Sequence, residues 1–440
     1  MKRIKPVIKT VLFATVLAFL LNAISGVLVR PGDQSAFRNM EGFYEQKRNT
    51  LDAVYIGSSR VYAFWNPVYA YARSGMTVYS LATAAQSIEV ARYLAEEVHK
   101  TQPGAVLIVN LESMHDGPDA RLNRVLDKMP ASVNKLRLAW DTGVKDGDRI
   151  LDRIENLFPL NRYHTRWQEL EEEDFTYEAD QYKSSSRYDS FLGGHLDVKE
   201  AYRKATEHAI EPDERSKEAV DSLLDYCKKE SIPVIFTLAP QAGITDTQMR
   251  ERTGLKNYIL DLGGTVLDFQ NMADEMMLDF SRDYDNGRHT NIHGSFKFTA
   301  DLADLLTERF GFTDKRGTKG YEDWDTALLS YHELTDPYVL PFEWQNPENR
   351  TDLPTVEAEC GIRAEGGVSI AFTPVDGSDG YAVFRKTDVA APWEPLGDCE
   401  ENTFTDAEGK QGCIYAVVAY TESDAGRLYG MLNYAGIEVC

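Results

Sequence analysis

Apolar residues fall into three rhythms along the chain. The first is a run from Thr10 to Val29 without a charge, preceded by Lys2, Arg3, Lys5 and Lys9 and closed by Arg30-Pro31. About twenty apolar residues span a bilayer, and a basic flank holds the N-terminus on the cytoplasmic side. A cleaved signal peptide would have a shorter apolar region ending at a small-x-small site, and Leu21-Asn22-Ala23 is a poor one. The pattern therefore predicts an uncleaved single-pass anchor over 1–30, with the bulk of the chain outside the cytoplasm. Residues 31–50 read as a polar neck.

The second rhythm alternates short β-prone runs with amphipathic helices. Strands are expected at Ala53–Ile56, Thr77–Leu81, Ala105–Leu111, Pro233–Leu238 and Thr265–Phe269. Helices are expected at about Ile88–His99, Glu214–Lys229 and Thr247–Leu260. A last helix follows Gly294, with Phe298, Leu302, Leu305 and Leu306 on one face. The continuous apolar run Ala105–Leu111 suits a central parallel strand buried on both faces. This order predicts an α/β domain over 51–314 with a doubly wound, mostly parallel sheet. Residues 118–205 break the rhythm and read as a helical, aromatic-rich insertion that could build a substrate wall. At its centre His164, Arg166 and Trp167 either meet a ligand or form a local packing knot.

Residues 315–350 read as a connector. Beyond it the period changes to two. Val368-Ser-Ile-Ala-Phe372 and Tyr381-Ala-Val-Phe384 alternate, Ile414–Tyr420 is a strand, and Asp376–Gly380 and Ala407–Lys410 supply turns. Short strands at this spacing predict a β-sandwich over 351–440.

Length and charge narrow the function. The chain has 440 residues, enough for two or three domains, and Lys+Arg 47 against Asp+Glu 70 gives −23. Such an excess argues against nucleic acid and against broad contact with anionic lipid. The five cysteines, Cys227, Cys360, Cys399, Cys413 and Cys440, contain no C-x-x-C pair, so no zinc ribbon or thioredoxin motif is present. An export route would permit disulfides among them.

The candidate chemistry sits at the end of the first strand. Gly57-Ser58-Ser59-Arg60 follows Ala53–Ile56, and open α/β sheets bind ligands outside the carboxyl ends of their strands. A serine nucleophile needs a base, and the chain has only eight histidines. His289 and His293 fall between the last strand and the last helix, a loop at that same edge. His293 also allows a His-x-x-x-His metal reading with His289, but no third ligand is evident and a capping or packing role fits better.

Gly57-Ser58-Ser59 resembles the first block of the SGNH (GDSL-like) hydrolases. His289-Thr-Asn-Ile-His-Gly294, followed by a helix with Phe and Thr, resembles the closing block of a membrane-anchored bacterial subgroup. That subgroup includes relatives of the teichoic-acid D-alanyl transfer protein and polysaccharide O-acetyltransferases. The resemblance spans roughly residues 50–310. It implies an SGNH/flavodoxin-like fold with Ser59 as nucleophile and His289 as base, while Ser58 holds the family's Asp position. The family's acid stands three residues before its histidine, where this chain has Asn286, so Asp285 or Asp283 is expected to orient His289 if any carboxylate does. The family's second-block glycine and third-block asparagine, which donate to the oxyanion, have their nearest counterparts in Ala84-Ala85-Gln86 and Asn110. Gly57, Ser58, Arg60, Ala84, Gln86, Asn110, Asn286 and Asn291 thus form the expected oxyanion or substrate-binding set. The C-terminal strands resemble fibronectin type III, with Phe372 where Trp is usual.

The implied function is a membrane-anchored serine esterase or O-acyltransferase. It would act on acyl groups of a cell-envelope polysaccharide or other acylated glycan, with a membrane protein as a possible acyl donor. No cofactor and no metal are called for. Two alternatives stand beside it: a non-catalytic surface or assembly protein that keeps the fold, and a lipid esterase.

Overall fold

The computed structural model describes residues 4–29, 35–111, 119–142, 160, 163–176, 208–273, 276, 278, 283–328, 349–387, 391, 393–423, 426–433 and 436–439. The rest of the expected insertion and connector, and Cys440, lie outside the described residues. Cys227, Cys360, Cys399 and Cys413 are free thiols.

The first apolar run is helix α1, Ile4–Leu28, and its stretch Ile8–Leu28 is long and apolar enough to cross a membrane. The expected neck is largely a second helix, α2, Ser35–Glu45. Its Met40 and Phe43 are buried, and Tyr79 donates its hydroxyl to Asn39 O at 2.9 Å. Three-residue spacing of Met40 and Phe43 puts both on one helix face, so this segment packs as part of the α/β unit.

Five parallel strands form the main sheet: β1 Ala53–Gly57, β2 Val78–Ala82, β3 Val106–Asn110, β4 Val234–Leu238 and β5 Val266–Asp268. Their spatial order is β2-β1-β3-β4-β5, one of the two common doubly wound orders. β1, β2 and β3 are buried throughout. β5 is an edge strand of three half-buried residues, shorter than its sequence suggests. The chain leaves β1 toward β2 and then returns across it to β3, so the carboxyl ends of β1 and β3 flank the switch point where such sheets form a crevice.

Two short helices follow β1: α3, Ser59–Phe64, and α4, Pro67–Ser74. Asn66 caps α4 by accepting from Tyr69 N, and Pro67 takes the first helical position, where its missing N–H costs nothing. After β2, Ile88–Val90 is a 3₁₀ turn whose cap is Ser87, and only then does α5, Ala91–Thr101, begin. The helices Glu214–Glu230 and Asp246–Asp261 appear as expected. The helix Ile292–Phe310 closes the α/β unit.

The C-terminal strands form two antiparallel sheets. One joins β8 Ala358–Ile362, β9 Val368–Phe372 and β12 Thr403–Asp406. The other joins β10 Gly380–Lys386, β11 Glu394–Cys399, β13 Ile414–Ser423, β14 Gly426–Tyr429 and β15 Ile437–Glu438. Val368, Ile370, Val383, Tyr415 and Val417 pack between the sheets. The opposite face of β10 and β13 is also covered. Ala382, Phe384, Ala416 and Val418 share a core with Val68 and Tyr69 of α4 and with Ile292, Phe296 and Ala300 of the closing helix. Tyr69 and Phe296 stack with centroids 4.2 Å apart, and Lys386 Nζ lies 4.8 Å from the Trp393 ring centroid. The sandwich therefore abuts α4 and the closing helix.

The first part of the expected connector is packed as well. Lys315 bonds both oxygens of Asp52 at 2.7 Å, Trp324 is buried against Tyr71, and residues 322–328 are helical.

Candidate functional site

The site is built on the turn from β1 into α3. Gly57 is required by a close approach. A Cβ there would lie 2.7 Å from Val61 Cγ2 and 2.8 Å from Asn110 Cβ. Gly57→Ala is therefore expected to destabilise the protein by about 1–3 kcal/mol through overpacking, read as a lowered Tm, and to push Asn110 away from the turn.

Ser58 and Ser59 have different environments. Ser58 is buried and caps α3, its Oγ accepting from Arg60 N at 3.3 Å. Ser59 opens the helix, and its Oγ lies 2.8 Å from His289 Nε2. His289 reaches it from a hairpin that sequence patterning does not announce: β6 Tyr284–Asn286 and β7 His289–Thr290, turning at Gly287-Arg288. Asn286 Oδ1 accepts from Arg288 N at 3.0 Å, the local Asx bond that shapes such a turn.

One bond ties the hairpin to the helix carrying Ser59, and others tie the closing helix to that same helix and the hairpin to the end of β4. Thr290 donates its hydroxyl to Ala63 O at 2.5 Å. Thr299 of the closing helix donates to Phe64 O at 3.2 Å and accepts from Asn66 N at 2.9 Å. Tyr284 donates to Pro240 O at the end of β4. Gly294 lets the closing helix approach the hairpin base, since a Cβ there would lie 2.2 Å from Asp283 O.

The two candidate acids differ in their surroundings. Asp283 is fully buried and its Oδ2 accepts from Lys297 Nζ at 2.8 Å. It is a counter-ion inside the fold, because a buried carboxylate needs a partner and the closing helix supplies one a turn from Gly294. Asp285 Oδ2 accepts from Asn286 Nδ2 at 2.7 Å. Asn286 is the cross-strand neighbour of His289, and its own bonds go to Asp285 and Arg288. Asn291 is fully buried, its Oδ1 accepts from Gly294 N and its N donates to Asp283 O, so it caps the closing helix.

The other expected binding residues gather around the same turn. Asn110, at the end of β3, is buried against Gly57. Its Nδ2 is 3.4 Å from Thr237 Oγ1, and its buried Oδ1 makes no hydrogen bond. Thr237 Oγ1 is in turn 2.7 Å from Tyr55 Oη. After β2, Thr83 N donates to Gly57 O at 3.2 Å, which brings the next loop alongside. Gln86 Oε1 accepts from Thr83 Oγ1, and its Nε2 is a buried donor with no acceptor. The Ala84 carbonyl accepts from Arg124 at 2.7 Å. Ala85, between them, has φ +53, a left-handed conformation that costs an alanine roughly 1–2 kcal/mol. Residues held in such conformations cluster at functional sites. Nothing in Ala84-Ala85 as letters marks which one is strained. Arg60 is buried directly after Ser59.

His164, Arg166 and Trp167 are not part of this constellation. Arg166 bonds the carbonyls of Val27 and Leu28 and pairs with Asp174. The side chain of His293 lies outside the described part. A cavity of about 310 Å³ lined by Ile235, Leu267, Leu305, Leu306, Glu308 and Arg309 sits by β5 and includes neither Ser59 nor His289.

Chemically, the arrangement joins a hydroxyl to an imidazole within proton-transfer reach, at a strand end where a short helix begins. No family model matches the chain, and no curated protein matches it. Among solved structures, an Fn3-like protein from Clostridium thermocellum is 14% identical over 20% of this chain and 94% of its own, with a TM-score of 0.17. A structure of titin kinase and its flanking domains is 21% identical over 19% of this chain and 16% of its own, with a TM-score of 0.15. These likenesses are confined to about a fifth of the chain and are too weak to bear on the site.

Proposed function

We propose that this chain is a membrane-anchored serine esterase or O-acyltransferase of the SGNH type, acting on acyl groups of a cell-envelope glycan through an acyl-enzyme. The observation that carries the reading is the 2.8 Å contact between Ser59 Oγ and His289 Nε2 at the carboxyl edge of the sheet. In the proposed mechanism His289 takes the Ser59 proton as the hydroxyl oxygen attacks the ester carbonyl. The oxyanion forms beside the Gly57 turn, with the unengaged Gln86 Nε2 as its side-chain donor, since Asn110 Nδ2 is turned onto Thr237. His289 then returns the proton to the leaving alcohol, and water or a sugar hydroxyl takes the acyl group. An apolar helix able to hold the chain at a membrane suits a glycan substrate of the envelope and an acyl donor embedded in the same membrane.

A non-catalytic assembly role is the second reading. It draws support from the carboxylates, because Asp283 is paired with Lys297 and Asp285 with Asn286. An imidazolium whose candidate acids are engaged with other groups is stabilised less than one with a dedicated acid. Hydrolysis of p-nitrophenyl acetate separates the two. The enzyme reading expects a burst of nitrophenolate equal to the protein present, and its loss in His289→Ala. Equal slow release from both proteins would favour the non-catalytic role.

A further inference from the structure

We propose that the segment around Tyr163–Thr176 is a bilayer-docking surface, with Trp167 and Phe175 seated in the lipid–water boundary where α1 leaves the membrane. The proposal rests on reading α1 as a span and is independent of the Ser59 chemistry.

The argument begins at the end of α1. The apolar stretch Ile8–Leu28 has 21 residues, and at 1.5 Å per residue this matches a hydrocarbon core of about 30 Å. Along most of that length the helix is bare, as Phe13 at 68% and Phe19 at 70% exposure illustrate. Protein covers it only at its end, where Leu28 and Val29 are buried at 6% and 3%. The last carbonyls of a helix have no partner within it, and at a hydrocarbon edge leaving them bare is costly. Here Arg166 Nη1 donates to Leu28 O at 3.1 Å and to Val27 O at 3.4 Å. Asp174, itself nearly buried, holds the guanidinium from the other side. The segment is thereby fixed level with the membrane boundary.

The second observation is where the exposed aromatics lie. Outside α1, the described residues contain three large aromatic side chains with high exposure: Trp140, Trp167 at 64% and Phe175 at 65%. Two of the three follow directly after the residues that grip the helix end, Trp167 after Arg166 and Phe175 after Asp174. A neighbouring residue lies one 3.8 Å Cα step away, so neither ring can sit far from the boundary. Trp is favoured at that depth because its ring is apolar and its N–H still meets polar groups.

Charge sets the kind of lipid contact. Glu169, Glu171 and Glu172 are exposed on the same segment, so it is not a basic patch that would select anionic headgroups. The contact is apolar, and the anchor supplies a high local concentration that makes a modest contact sufficient. Its consequence is orientation: Tyr163 donates its hydroxyl to Asp127 Oδ2 at 3.0 Å, beside Leu126 of the α/β core, so two points of attachment fix that unit relative to the membrane, where α1 alone would let it swivel.

The test uses the full chain in phosphatidylcholine nanodiscs, with and without bromine on the acyl chains near the headgroup. Bromine is expected to quench the tryptophan emission of the wild type. Trp167→Phe should lose most of that quenching, and adding Phe175→Trp to the same chain should restore it. Raising the salt concentration should leave the quenching unchanged, since screening acts on charge and not on apolar contact. Circular dichroism of each variant checks that the fold is intact. Quenching that is equal in the wild type and Trp167→Phe would overturn the proposal, as would quenching that high salt abolishes. A chain that never entered nanodiscs would overturn it together with the reading of α1 as a span.

Discussion

Ser59→Ala is expected to abolish covalent labelling by a fluorophosphonate probe, while Ser58→Ala only weakens it. The two hydroxyls are adjacent in sequence and separated by environment. Ser59 Oγ is 2.8 Å from His289 Nε2, so it has a base in reach. Ser58 Oγ is turned onto Arg60 N as the cap of α3 and is almost fully buried. Removing a nucleophile costs several powers of ten in turnover. Removing a helix cap costs about 0.5–2 kcal/mol of stability, enough to loosen the turn and slow labelling without ending it. In-gel fluorescence of the two variants beside the wild type separates these outcomes. Full labelling of Ser59→Ala with none of Ser58→Ala would shift the nucleophile by one residue.

Lys297→Ala is expected to be the most damaging single change away from the reacting groups. Lys297 and Asp283 are 2% and 0% exposed and lie 2.8 Å apart. Truncating the lysine leaves a buried carboxylate without its counter-charge, a loss of about 3–5 kcal/mol. In a unit of this size that corresponds to a Tm lowered by on the order of 10 °C. Asp283 directly precedes the hairpin carrying His289, and Asn291 N bonds the Asp283 carbonyl. Probe labelling should therefore fall with stability. The double variant Asp283→Leu with Lys297→Met removes both charges and should recover most of the lost Tm, because replacing a buried pair by apolar groups is often neutral. Recovery of Tm without recovery of labelling would assign Asp283 a role at the site beyond holding the hairpin.

The parts legible in sequence were those whose burial leaves a periodic trace. The charge-free run that becomes α1, the continuous apolar run of β3 and the helical spacing in the closing helix are of this kind. β13 is instructive: its run from Ile414 to Tyr420 lacks polar alternation because one face packs in the sandwich and the other against α4 and the closing helix. Gly57-Ser58-Ser59 and His289 were also visible, since a turn at a strand end and a scarce residue type both stand out. What stayed hidden depends on partners far along the chain. The counter-ion of Asp283 lies 14 residues on, whereas the family resemblance, which expects an acid near position 286, offered that aspartate only as an orienter for His289. The hairpin strands are two and three residues long, too short to show a period. The strain at Ala85 is a backbone property that its side chain does not encode. The Arg166 contact with the end of α1 joins residues some 138 positions apart.

The central claim is that the Ser59–His289 pair forms a covalent intermediate on Ser59, and the most direct measurement is the position of the adduct. Trypsin cleaves after Arg48 and Arg60, so residues 49–60 leave as one peptide carrying both Ser58 and Ser59. After reaction of the full chain with the fluorophosphonate, fragmentation of that peptide should find the added mass on Ser59, and His289→Ala should yield the peptide unmodified. An adduct on any other residue, or an unmodified peptide from the wild type across several acyl-like probes, would contradict the account.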